Sequence, residues 1–426
     1  MKKINIKRID EILYYDQIDN GLPVYMLVNN EVNNFYMTFT ARYGSVHTEF
    51  KIGNKEYKVP NGVAHFLEHV NFNEEEGSTA HDYFNKLGSE INAFTTFDFT
   101  SYEVTSNTNF KENLTHLLDY VQTPIFTDEL VNKEKGIICE EVKMGKNNPG
   151  HKLYYGSNRA LYKKDKRRNL VTGEIKDVKN TTKEDLELVY NTFYHPENMF
   201  LIITGNFDPE EAITIIKENQ SKKKFNKYKF PVILQEKEPT SINNSYKEIE
   251  ANVEIPKCKI SYKMPLDLFK DYDLNHINIY TAILLTSNFG NTSLLREELL
   301  EKNLITYLGT SRDTTNDLLT ISITFESKTP DKVIPIIKDK LNNLSIDKDE
   351  LRRKAKAKIA NLINNYDDIE YVNTDIMDQL IYHHKIIDNY YEIYDTLDIE
   401  ELNNYIKLLD FSKPSIVELI PYKKEL

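Results

Sequence analysis

Apolar and polar residues alternate along 15–48, most clearly at 22–28 and 35–43, with Asp19-Asn20-Gly21 supplying turn chemistry before the first run. A period of two marks half-buried strands. The period then becomes helical, with Val63, Phe66, Leu67 and Val70 on one face. A short amphipathic helix is expected at 79–87, ending at Gly88, and strands at 90–97 and 100–106. Helices follow at 110–121, 127–145, 154–162 and 183–194, and a strand at 199–204.

Residues 221–246 interrupt this rhythm. Ser221 to Phe225 is basic, 236–245 is polar with a proline, and the stretch reads as a linker. Beyond it the order of elements returns: a strand at 249–264, helices at 273–287 and 291–302, a strand at 318–326, helices at 330–343 and 348–366, and a closing strand at 415–420. Similar length and element order without visible identity point to a duplicated domain. The expected fold is α+β: two tandem homologous domains, 1–220 and 247–426, each a mixed or antiparallel sheet packed with helices.

Composition narrows the function. A net charge of −12 argues against nucleic acid as the main partner. The two cysteines, Cys139 and Cys258, lie far apart, so no disulfide framework is implied and a reducing cytoplasm is the expected location. Cys139 reads as a small core residue. No apolar run is long enough to span a bilayer, and none follows the basic Met1-Lys2-Lys3 start, so no membrane association is expected.

The chemistry concentrates in His65-Phe66-Leu67-Glu68-His69. On a helix at about 100° per residue, His65 and His69 lie about 40° apart, with Glu68 about 60° to the other side of His65. Two imidazoles one turn apart suit a tetrahedral Zn²⁺, and a carboxylate beside them can take a proton from water. H-x-x-E-H is the inverted zinc-protease signature. A chain with ten histidines should show about 0.02 such motifs by chance. A catalytic zinc needs a third protein ligand. In the helix at 127–145, capped by Thr127 or Asp128, Glu134 and Glu141 fall inside the apolar arc with Val131, Ile138 and Val142, whereas Glu140 faces solvent. Two carboxylates in an apolar stripe need compensation, from a salt bridge or from a metal and its histidines. With the motif upstream, Glu141 is the candidate third ligand and Glu134 a supporting group beside the site.

HFLEH with Glu141 downstream is similar to the M16 (pitrilysin/insulysin-like) metallopeptidases. The likeness extends to Asn61-Gly62-Val63-Ala64 before the motif and to Gly88-Ser89-Glu90-Ile91-Asn92-Ala93-Phe94-Thr95, which resembles the family's G-x-x-x-N-A-x-T stretch. Tyr194-His195-Pro196-Glu197-Asn198-Met199 with Gly205-Asn206-Phe207-Asp208 resembles the end of the family's first domain. The match is strong over the first half and weak over the second, and it points to the short bacterial members that pair with a second M16-like chain. The resemblance implies zinc held by His65, His69 and Glu141, with Glu68 as general base. It also implies a peptide substrate laid along Asn92, Ala93, Phe94 and Thr95 by β-augmentation, where the small and hydroxyl side chains alone would equally suit an ordinary edge strand.

One feature departs from the family. Active members carry an Arg and, seven residues later, a Tyr in the second domain to stabilise the oxyanion. With Tyr307 in the Tyr position, the Arg position holds Leu300, and Arg296 lies one turn out of register. The expectation is a zinc-dependent endopeptidase subunit acting on peptides or small unfolded proteins, completed by an M16-like partner chain that supplies Arg and Tyr, or otherwise by a homodimer. The alternative is a catalytically silent peptide-binding or scaffold subunit, against which the intact Glu68 argues. His195 reads as structural, and the charged run Lys163 to Arg168 as a solvated loop.

Overall fold

The computed structural model describes residues 1–422 apart from 8, 10, 75, 76 and 316. The chain forms two compact units that interleave in sequence. One comprises Met1–Val142, Leu170–Gln235 and Leu362–Tyr390; the other comprises Lys143–Asn169, Glu236–Asn361 and Tyr391–Leu426.

The first unit is built on a seven-stranded sheet, ordered Lys2–Ile6, Glu11–Gln17, Pro23–Val28, Met199–Gly205, Phe35–Ala41, Thr100–Ser106 and Glu90–Thr95. Phe35–Ala41 is buried at every position because both its faces are covered. Phe35 packs edge-on against Phe110 of the helix Phe110–Gln122. Thr38, on the opposite face by strand alternation, donates to Asn373 Oδ1 at 2.6 Å. Asn373 lies on the helix Ile369–Asp378, and Thr204 donates to the Ile369 carbonyl at 2.8 Å. This satisfies two buried hydroxyls that would otherwise be costly in the middle of a sheet.

The second unit holds a five-stranded sheet, ordered Tyr246–Ala251, Ser415–Pro421, Lys257–Pro265, Leu318–Glu326 and Tyr307–Thr314. The helix Pro149–Leu161 packs on it: Leu153 and Ala160 join Ala251, Val417 and Leu419 in one apolar cluster. Numbered in chain order, its strands lie first, fifth, second, fourth, third. Pro23–Val28, Met199–Gly205, Phe35–Ala41, Thr100–Ser106 and Glu90–Thr95 of the first sheet follow the same order. In both sheets the first and fifth strands are parallel and every later pairing is antiparallel. The fold is therefore α+β with a repeated topology, as the element order predicted.

Several details differ from the pattern-based expectation. The strand expected at 249–264 is two, Tyr246–Ala251 and Lys257–Pro265, because they pair with Ser415–Pro421 from opposite sides and in opposite senses. The chain must reverse between them. A helix absent from the expectation runs over Pro209–Ser221, capped by Asp208 with Pro209 in its first turn. Tyr307–Thr314 is a strand although it reads as polar; it is an edge strand, exposed along most of its length.

Within 221–246, Val232–Ile233 pairs with Glu49–Ile52, and Glu238 is buried. The Glu238 carboxylate accepts the backbone N–H groups of Lys163, Lys164 and Asp165 at 2.7–2.9 Å and pairs with the Lys263 ammonium. Burial opposes its charge, but these donors outweigh burial and hold the carboxyl below its ordinary value. The run Lys163 to Arg168 is thus no solvated loop: its backbone wraps a buried anion, and Asp165 and Arg167 are themselves buried.

Candidate metal centre

The helix Val63–Asn71 starts from Gly62, whose φ is +85°. A Cβ there would sit 2.3 Å from the Thr172 carbonyl oxygen. Gly173, at φ +73°, reciprocates: its Cβ would lie 2.4 Å from the Asn61 carbonyl oxygen. Two backbones in direct contact thus fix where the motif helix begins, and only glycine fits either position. The helix is buried along nearly its whole length, so His65 and Glu68 lie inside the unit beside Phe66 and Leu67 rather than on an open face.

His65, His69 and Glu141 offer one ligand atom each within 4.8 Å of one another. His65 Nε2 lies 3.5 Å from Glu141 Oε1, and His69 Nε2 lies 3.5 Å from Glu141 Oε2. Donors bound at about 2.1 Å in a tetrahedron stand about 3.4 Å apart, so both separations fit a zinc site of two imidazoles and a carboxylate. The imidazoles hold the Glu141 carboxyl well below the usual carboxylate range through hydrogen bonds to both rings. Burial opposes a proton on His69, but hydrogen bonds to Glu134 and Glu141 and the charges of Glu68 and Glu141 prevail, pushing it up to about 9. Two imidazoles and three carboxylates drawn together in a partly buried place suit a cation.

Glu134, on the same face of the helix Asp128–Asn147 as Glu141, is buried and lies 3.3 Å from His69 Nδ1. A carboxylate there favours the tautomer with its proton on Nδ1, in which Nε2 can ligate. Glu140 points to solvent, as the helical phase predicted. Asn73, which the sequence reading did not single out, donates to the His69 carbonyl at 3.1 Å and reaches Glu134 Oε1 at 3.5 Å. Its place four residues after His69 was the available signal. His65 Nδ1 is buried and has no hydrogen-bond partner among the described residues.

Glu90–Thr95 runs along the outer edge of the seven-stranded sheet, and among the described residues no further strand pairs with it. Thr96 N–H donates to the Phe99 carbonyl, which sets the phase of the antiparallel ladder. The main-chain groups of Ile91, Ala93 and Thr95 therefore face the open edge. Alternation puts the Ala93 and Thr95 side chains on one face, the face of Glu68, since the Thr95 hydroxyl donates to Glu68 Oε2. Asn92 and Phe94 point the other way, with Phe94 edge-on against Phe99. In the second unit, Leu300 and Tyr307 are exposed, and the Arg296 guanidinium bonds the Leu308 carbonyl and the Asn291 side chain.

Residues 52–174 match the Insulinase (Peptidase family M16) domain, and residues 180–358 match the Peptidase M16 inactive domain. The chain is 40% identical over 311 residues to the uncharacterized zinc protease YmfH of Bacillus subtilis, covering 72% of each. Among solved structures, an M16-like peptidase from Alicyclobacillus acidocaldarius superposes with a TM-score of 0.89 at 27% identity, covering 96% of this chain and 98% of that one. A protease from Helicobacter pylori shares the fold, with a TM-score of 0.80 at 19% identity. The chain belongs to the M16 family of metallopeptidases.

Proposed function

We propose that this chain is a zinc-dependent endopeptidase subunit that cleaves extended peptides or small unfolded proteins. The observation that carries the reading is the convergence of His65 Nε2, His69 Nε2 and a Glu141 carboxylate oxygen, with Glu68 one residue from His69 on the same buried helix. A zinc ion held there supplies Lewis acidity for the scissile carbonyl and for water. Glu68 takes the proton from the attacking water and returns it to the leaving amine. Glu134 keeps His69 in the ligating tautomer. The open edge of Glu90–Thr95 offers the main-chain groups of Ile91, Ala93 and Thr95 to a substrate strand, which favours unstructured peptides over folded proteins.

Catalysis is shared with a second M16-like chain. Leu300 occupies the position where an oxyanion Arg is expected, and Arg296 is engaged with Leu308 and Asn291. A partner carrying the Arg–Tyr pair completes the site, and a homodimer is the other arrangement. The buried, unpaired thiols of Cys139 and Cys258 are consistent with a cytoplasmic location. Among the described residues no helix is long and apolar enough to cross a membrane.

Metal analysis together with one variant tests the reading. Purified protein should carry about one zinc per chain. Glu68→Gln should keep the zinc and lose peptide cleavage. A protein that stays metal-free after zinc reconstitution would sink the assignment.

A further inference from the structure

Glu68 does not stand alone on its helix. Its Oε2 accepts a hydrogen bond from Thr95 Oγ1, and its other oxygen carries no hydrogen bond among the described residues. Behind Thr95 lie buried polar side chains. Thr95 Oγ1 is 3.3 Å from Thr100 Oγ1, and Thr100 donates to the Tyr43 carbonyl at 2.9 Å. The Tyr194 phenol lies 2.9 Å from the Tyr102 phenol, which accepts from Asn71 Nδ2 at 2.7 Å. Thr100, Tyr102, Tyr194 and Asn71 are all buried.

Proton counting decides which acceptor the Thr95 hydroxyl serves. Each hydroxyl has one proton to give. Thr100 spends its proton on the Tyr43 carbonyl and has none left to give Thr95. The Thr95 proton is left for the one strong acceptor in reach, the Glu68 carboxylate. A charge-assisted bond from a side chain locked on a sheet strand restricts the carboxylate far more than solvent would.

We propose that Thr95 is the positioning residue for Glu68: its hydroxyl fixes one carboxylate oxygen so that the other faces the water to be activated. The same residue presents its main-chain groups to the open edge, where a substrate strand would pair. Thr95 would then register substrate through its backbone and the base through its side chain, so that displacement of this strand by a misaligned peptide also displaces Glu68. This rests on the zinc-peptidase reading above, and it changes the expected role of the Thr95 side chain from contacting substrate to orienting the base.

The test compares Thr95→Val, which keeps the β-branched shape and the backbone, with Thr95→Ser, which keeps the hydroxyl. Zinc content, kcat, KM and the crystallographic conformation of Glu68 are measured in each, with partner chain supplied where activity requires it. Thr95→Val should retain zinc, leave KM within about twofold and lower kcat by about 10- to 100-fold, the loss expected for one hydrogen bond to a charged group. Its Glu68 carboxylate should leave the wild-type position, and Thr95→Ser should restore both position and rate. A raised KM with unchanged kcat would assign the hydroxyl to substrate and overturn the proposal. So would a Glu68 that keeps its place in Thr95→Val. That crystallographic result does not depend on turnover, so the proposal stays testable even if the wild-type enzyme shows no peptidase activity and the functional reading itself fails.

Discussion

Glu140 and Glu141 are neighbours in the chain with opposite surroundings: one projects to solvent, and the other meets both imidazoles at 3.5 Å. Glu141→Ala should therefore abolish stoichiometric zinc binding, whereas Glu140→Ala should bind as wild type. A competitive titration with a chromophoric chelator reads both, and zinc lost on the Glu140 change would mean that the wrong carboxylate has been assigned. Glu134→Gln should fall between, weakening affinity by about 10- to 100-fold, because it removes the group that orients His69 without removing a ligand. Helical phase alone separated Glu134 and Glu141 from Glu140, since a run of this length leaves little freedom about which side is buried. What it could not show is Thr95 bonded to Glu68, or Asn73 reaching Glu134. Those contacts join residues on different elements, and nothing in their spacing along the chain specifies the meeting.

At the scale of elements, the motif helix depends on the glycine pair at its start. Gly62→Ala would place a Cβ at positive φ and against a backbone carbonyl that cannot rotate away. The expected cost is about 2 kcal/mol or more, from backbone strain and displacement of the 172–173 segment. Urea unfolding measures it, and zinc affinity should fall in parallel because His65 lies three residues on; an alanine variant of wild-type stability would show that the contact has slack. A second dependence sits at Glu238, in the stretch that reads as a linker. Glu238→Gln leaves the Lys263 ammonium buried without its counter-charge and should destabilise the second unit by about 3 kcal/mol. The sign with pH follows from the lowered carboxyl pKa. Its contribution is complete above the ordinary carboxylate range of an unfolded chain and fades as pH falls through the folded value. Wild type should thus lose stability on acidification more steeply than Glu238→Gln, and parallel acid-unfolding curves would contradict this. Neither dependence was legible in the sequence: Glu238 is one acid among polar neighbours, and its burial is set by three backbone N–H groups that no pattern announces.

For the whole molecule, the duplication was visible as a repeated order of elements and becomes exact in the sheets, where both follow the same strand order with the same single parallel pair. Polar edge strands hid part of the repeat. Tyr307–Thr314 holds in the second sheet the place that Glu90–Thr95 holds in the first, yet its exposed residues carry no apolar alternation to betray a strand. The two copies have diverged in chemistry, since one carries the candidate zinc ligands and the other has Leu300 where an oxyanion Arg is expected. That divergence gives pairing a chemical reason. Removing one oxyanion donor typically costs ~10²–10³ in turnover, so the isolated chain should bind zinc and cleave unstructured peptides only feebly. Mixing it with an M16-like chain that lacks H-x-x-E-H but carries the Arg–Tyr pair should raise kcat by about the same ~10²–10³. Leu300→Arg in the isolated chain should recover little, because that side chain must also be aimed by its surroundings. Assays of the chain alone, of the mixture and of the variant, with sedimentation to count subunits, decide the matter. Full activity from the unmixed chain sedimenting as a dimer would replace the heterodimer with a self-complementing pair and turn attention to Arg296.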